Sequence, residues 1–316
     1  IGVVSGMNEK GLTVTINAAK SSIPSGSATP VSLVAREILQ YAANIKEAVA
    51  IAHKRTMFVS ESFLVGSAAD NKAVIIEKTP DTLAVYDPQS DRILCANHFQ
   101  SKVLGETALN REQMDESASA YRFKRLQELL QEHPKNTVQN TVRILRDRNG
   151  LHDANIGLGN EKALNQLIAH HAIIFEPQKR LVWVSTAPWQ LGEFVAYDLN
   201  KVFALRGMQK NTEINEPGLT IAADSFLLST QFTNFEKYRN YKQLIADGAE
   251  VNTDSVVASN PGFYHSYVLA GDYCFKHERL DRAVQYYKQA LTKEIATKQE
   301  ETYIRRQITD IQKKLQ

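Results

Sequence analysis

The sequence predicts an α+β protein with a helical extension, on three observations. Strand-type alternation recurs in short runs between residues 12 and 188, separated by turn residues. Helical periodicities sit in groups between those runs rather than alternating with them one for one. From about residue 210 onward the apolar spacing is almost entirely helical. The expected organisation is therefore one layered domain over 1–210 and a helical region over 211–316.

The first element is "GMNEKGLTVTIN", Gly6 to Asn17. Leu12, Val14 and Ile16 alternate with Thr13, Thr15 and Asn17, the period of a strand with one buried face, and Gly11 suits a positive-φ turn position before it. A Ser-, Gly- and Pro-rich loop then leads to a helix start, with Thr29 as expected cap and Pro30 at the first position. Val31, Val34, Ile38 and Tyr41 form its apolar stripe, and a second helix opens at Asn44 with Glu47 three residues on, a capping-box pattern.

From Ser62 the period returns to two. "SFLVGSA", "KAVIIE", "TLAVYD" and "RILCANHF" are divided by Asp70-Asn71, Thr79-Pro80-Asp81 and Asp87-Pro88-Gln89-Ser90, which predicts an antiparallel meander. Helical pattern follows in "SAYRFKRLQELLQEH" and "NTVQNTVRILRDR". "HHAIIFEP" and "RLVWVSTAP" read as a hairpin across Pro177–Arg180. The stretch "GMQKNTEINEPG" reads as a linker. Beyond it, "GDYCFKHERLDRAVQYYKQAL" resembles one tetratricopeptide-type helix pair, with Gly271, Tyr273, Ala283, Tyr286, Tyr287 and Ala290 at its packing positions. Ile304, Ile308, Ile311 and Leu315 mark a closing helix.

Composition narrows the function classes. The 316 residues are 43% hydrophobic and 23% charged, with a net charge of +2, so there is no electrostatic footprint for nucleic acid or an anionic membrane surface. Two cysteines, Cys95 and Cys274, exclude a disulfide framework and a multi-cysteine metal site. His170-His171 are adjacent in an expected strand and point apart, which disfavours a shared metal. No apolar run reaches membrane-spanning length, and the compartment is not legible.

The ordered motifs carry a resemblance. "GMNEKGLTVTIN", "AREIL", "ESFLVGSA", "AVIIEKTP", "CANHF", "SAYRFKRLQELL" and "AHHAIIFEP" through "LVWVSTAPWQLGEFVAYDL" are similar in order and spacing to the isopenicillin-N acyltransferase family, relatives of choloylglycine hydrolases and penicillin V acylases. The resemblance covers residues 1 to about 205. It implies an N-terminal-nucleophile αββα sandwich, here incomplete at its N-terminus. It also implies amide hydrolysis or acyl transfer through a cysteine thiolate exposed by self-cleavage, with no cofactor and no metal.

By that resemblance Asn97 matches the oxyanion asparagine, Asn17 a second asparagine near the nucleophile, and Arg122 the arginine orienting the nucleophile's surroundings, with Arg125 as the competing register. For Asn17 and Arg122 a structural role stands level with the functional one. Cys95 shares an expected strand face with Asn97, yet a lone cysteine is more often a small buried hydrophobe. Trp183, Trp189 and Phe194 read equally as core or as an acyl-pocket wall. Position 1 is Ile, so the expectation places the nucleophile upstream of Ile1. The partner expectations are a small N-acyl amide or acyl thioester, the chain's own nucleophile-bearing segment, and further copies of the chain in a homo-oligomer. The competing expectation is a non-catalytic member whose helical region binds a protein.

Overall fold

A computed structural model describes residues 1–20, 26–132, 135–207 and 213–315. In chain order the first elements are β1 (Ser5–Met7), β2 (Leu12–Ala18), α1 (Val31–Tyr41), α2 (Ile45–Lys54), β3 (Glu61–Ser67), β4 (Lys72–Lys78), β5 (Leu83–Tyr86) and α3 (Ala108–Glu116). There follow α4 (Ser119–Gln131), α5 (Val138–Leu145), β6 (Ile173–Glu176), β7 (Leu181–Ser185), β8 (Phe194–Asp198) and α6 (Leu199–Ala204). The helices α7 (Thr230–Ala246), α8 (Thr253–Ser259), α9 (Tyr264–Lys276), α10 (Leu280–Ala290) and α11 (Lys298–Leu315) complete it. The fold is α+β, with two antiparallel sheets. Among the described residues no helix is long and apolar enough to cross a membrane.

Two compact units share the chain. The first takes Ile1–Asp115, His171–Thr186 and Phe194–Ile221; the second takes Glu116–His170, Ala187–Glu193 and Ala222–Gln316. The expected division at residues 210 and 211 lies outside the described residues, as do part of the 21–30 loop and the end of the helix expected through His133.

In the first unit the five strands run β1-β2-β3-β4-β5 as one meander. Register puts Val14, Val65 and Val74 in one row and Ile16, Phe63 and Ile76 in the next. That face packs on Val34, Ala35 and Ile38 of α1 and Ala48 and Ala52 of α2, so the period-two pattern of the strands meets the apolar stripes of the helices. The opposite face carries Asn17, Ser62 and Glu77 in one row. The β1–β2 hairpin depends on Asn8, whose Oδ1 accepts from Lys10 N and Leu12 N at 3.0 Å each. Its Nδ2 donates to the Leu39 and Ala42 carbonyls at 3.1 and 2.7 Å, tying the turn to α1. Gly11 is at φ 75°, and a Cβ there would meet the Pro177 carbonyl oxygen at 2.7 Å, so both conformation and space require glycine.

Some expectations change. Asn44 caps α2 and Glu47 reaches back, as the pattern predicts. Pro30, however, is the cap position of α1 without a side-chain bond, because Thr29 is drawn into a bridge with Met57. "RILCANHF" forms no strand. Its end is held by side chains instead of a ladder: Phe99 N donates to Asn110 Oδ1 at 2.7 Å, and Gln100 N and Ser101 N donate to the Glu77 carboxylate. His170 and His171 precede β6 rather than lying in it. The β6–β7 hairpin forms, and β8 extends that sheet. Trp183 is buried there, its indole N–H donating to the Leu219 carbonyl at 2.9 Å, and Phe194 is fully buried.

The second unit is helical, with a core that includes Phe232, Phe235, Tyr267, Ala270, Ala283, Tyr287 and Ile304. α9 and α10 pair closely because Gly271 admits the Tyr287 ring: a Cβ at 271 would lie 2.9 Å from Tyr287 Cε1. The Tyr287 and Tyr303 hydroxyls both donate to Asp272, at 2.5 and 2.8 Å, which satisfies the polar ends of two rings in one place.

Candidate active-site elements

Within the first unit, the end of β2 and the segment 94–101 come together. Asn97 Nδ2 donates to the Ala18 carbonyl at 3.0 Å, so it lies beside the residue that follows Asn17. Asn17 stands opposite Ser62 on β3, and Ser62 stands opposite Glu77 on β4. Ser62 and Glu77 are almost fully inaccessible, at 1% and 0% exposure. Gln100 closes the segment on itself, its Nε2 donating to the Leu94 carbonyl at 2.7 Å. Asn110 clamps its far end, donating to the carbonyls of Phe99 at 3.0 Å and Gly105 at 2.9 Å.

Cys95 sits inside this arrangement. Burial is the main cause that pushes its thiol up to about 12; the neighbouring Glu77 and Glu61 carboxylates add to it, and a hydrogen bond with Ser62 opposes it. A thiol in that state is protonated at neutral pH and a poor nucleophile. Cys274 is fully buried, and burial raises its pKa as well. Glu61, paired in register with Ala18 and Lys78, is 5% exposed, and burial raises its carboxyl to about 7. Lys78, equally buried, is shifted down by the same desolvation.

Arg122 belongs to α4 in the second unit. Its Nη1 donates to the Glu161 carbonyl oxygen at 2.7 Å, and burial lowers its pKa. Arg125, one turn on, is 2% exposed and engaged by three carboxylates. Its Nε and Nη2 form a two-pronged pair with Asp147 at 3.0 and 2.9 Å, Nη2 also reaches Asp153 at 2.6 Å, and Nη1 reaches Glu128 at 3.2 Å. The hydrogen bonds to Asp147 are the first cause of its raised pKa. Arg125 therefore ties α4 to the 147–153 loop.

The model of the acyl-coenzyme A:6-aminopenicillanic acid acyl-transferase family matches residues 1–188, more than half of the chain. The chain belongs to this family. No curated protein matches it. The match spans Asn17, Asn97 and Arg122, and acyltransferase or related hydrolase chemistry follows for the family broadly.

Sequence reasoning missed Glu61, Ser62, Glu77 and Asn110. A signal existed for Glu77: it is a carboxylate closing the apolar run "AVIIE", in phase with Ile75 rather than with the helix-covered Val74 and Ile76. Asn110 lies on the weakly patterned α3 and gave none. Among the described residues no group of three or more His, Cys, Asp or Glu is arranged to hold a metal.

Proposed function

We propose that this chain supplies the oxyanion-binding and orienting part of an amide C–N hydrolase or acyltransferase of the N-terminal-nucleophile class. The family match over residues 1–188 carries this reading. In it, residues 1–210 are a partial αββα nucleophile-hydrolase domain, and 211–316 are an extension whose α9–α10 pair is tetratricopeptide-like. The attacking thiolate comes from a cysteine outside Ile1–Gln316, because the half-buried Cys95 and the buried Cys274 both have raised thiol pKa values that hold them protonated. That thiolate attacks the carbonyl of an N-acyl amide, or of an acyl thioester where the acyl group is transferred to an amine. The α-amine of the same cysteine takes up and returns the proton.

Asn97 is the proposed principal oxyanion donor, supported by the anchoring of its amide at the end of β2. Asn17 contributes from that strand end, and Arg122 orients charged groups around the nucleophile. No cofactor enters the reaction.

The deciding experiment is turnover of an N-acyl amide panel by the protein joined to its nucleophile-bearing segment. Asn97→Ala is expected to lower kcat about two to three orders of magnitude with KM nearly unchanged. Full activity in Asn97→Ala would remove Asn97 from this role, and if Cys95→Ala also abolished acylation the site would have to be rebuilt around Cys95.

A further inference from the structure

A cavity of about 540 Å³ lies within the helical unit, in the size range of small-molecule sites. One wall is a single face of α7, on which Phe235, Tyr238, Arg239 and Lys242 follow at spacings of three, four and seven. The floor is aromatic. Phe263 meets Tyr238 edge-on at 5.7 Å between centroids, and Tyr238 stacks beside Phe235 at 6.2 Å. Gly159 lets the backbone pack against the Phe235 ring, since a Cβ there would come within 3.2 Å of Cε2. The exposed side chain of Ile168 adds an apolar surface.

The cavity is lined by charges of both signs. Glu161 and Glu300 line it together: partial desolvation first, then the Glu300 charge, raises the Glu161 carboxyl, with Arg122 opposing. Glu300 already accepts from the Tyr264 hydroxyl and, at 3.0 Å, from Thr297. The Glu161 carboxylate makes no hydrogen bond among the described residues. On α7, Arg239 is spread over the Trp189 ring at 4.5 Å, whereas Lys242 has no ion pair among the described residues. Lys242 lies seven residues beyond Phe235, about 10 Å along the helix axis. His265 also lines the cavity, held by the Tyr238 hydroxyl at 2.8 Å; burial and then Lys242 keep its pKa low, so it adds little positive charge there.

An aromatic floor with a carboxylate open to hydrogen bonding and a separate cation suits an apolar zwitterion. We propose that this cavity binds a dipeptide-sized zwitterion with an apolar side chain. Its ammonium meets Glu161, its side chain lies on the Phe235–Phe263 floor, and its carboxylate meets Lys242. The cavity volume of about 540 Å³ has room for a molecule of this size. The site shares no residue with the acyl-transfer reading, although Arg122 of that reading donates to the Glu161 carbonyl oxygen.

The test is calorimetric titration of the whole chain with phenylalanyl-glycine, its N-acetyl form and its C-terminal amide. Phenylalanyl-glycine is expected to bind at least about tenfold tighter than either blocked form. Glu161→Gln should erase the preference over the N-acetyl peptide and Lys242→Gln the preference over the amide, each leaving the other preference intact. Both positions are exposed, so the variants should melt with the wild type. Equal binding of all three peptides, preferences that survive the substitutions, or no binding of phenylalanyl-glycine at millimolar concentration would each overturn the proposal.

Discussion

Ser62 and Glu77 stand directly opposite each other on neighbouring strands, and between them they hold the segment that carries Cys95 and Asn97. Ser62 hydrogen-bonds the Cys95 thiol, while the Glu77 carboxylate receives the backbone amides of Gln100 and Ser101. The position of Asn97 therefore depends on a carboxylate twenty residues earlier.

Glu77→Ala removes the acceptor for two buried amides, at about 1–3 kcal/mol for each group left unsatisfied. The expected result is a lower urea midpoint together with faster hydrogen exchange at the Gln100 and Ser101 amides. Unchanged exchange at those two positions would show that the segment is held by Asn110 and Gln100 alone.

Glu61 sets a pH dependence. Its folded carboxyl, raised to about 7, lies above the ordinary value of 4.5, so the folded state binds the proton more tightly than the unfolded state. Stability is greatest below pH 4.5 with respect to this group and declines as pH rises from there through about 7. Glu61→Gln should remove the decline, gaining about 2–3 kcal/mol relative to wild type at pH 8 and little at pH 4.5. Parallel stability-against-pH curves for the two proteins would contradict this.

Cys95 should behave as an unreactive, half-buried thiol. With its thiol pushed up to about 12, thiol-specific reagents at pH 8 are expected to label it only after denaturation. Cys95→Ala should retain most of any acyl-transfer activity. Rapid native-state labelling at Cys95 is the contrary result.

Arg125→Ala leaves Asp147, itself largely buried, without its guanidinium partner. The expected loss is about 3–5 kcal/mol in chemical denaturation. Lysine at 125 should rescue only part of it, because an ammonium cannot reproduce the two-pronged contact.

Gly271→Ala opposes two effects. Alanine favours helix by about 1 kcal/mol, but its Cβ would press on the fully buried Tyr287 ring. Overpacking of about 1–3 kcal/mol wins, and the melting temperature should fall. A rise would mean that α9 and α10 separate without penalty.

The sequence by itself determined what is local. Two-residue alternation set the β3–β5 meander and the β6–β7 hairpin, because neighbouring strands joined by short turns have little choice of partner. Asn44 with Glu47 and Gly11 were legible for the same reason: a cap or a positive-φ turn is satisfied within a few residues. Motif order carried the family assignment, which a match over 1–188 establishes. Only the tertiary structure decided the rest. "RILCANHF" has the composition of a strand, yet the amides at its end and just beyond it are claimed by Asn110 and Glu77, eleven to twenty-four residues away. Arg122 and Arg125 lie one turn apart on a single helix, and what separates their roles is the arrival of Asp147 and Asp153 at the second. Burial of Glu61 and Cys95 likewise depends on which strands and loops close over them, a property of distant chain segments that no short window of sequence contains.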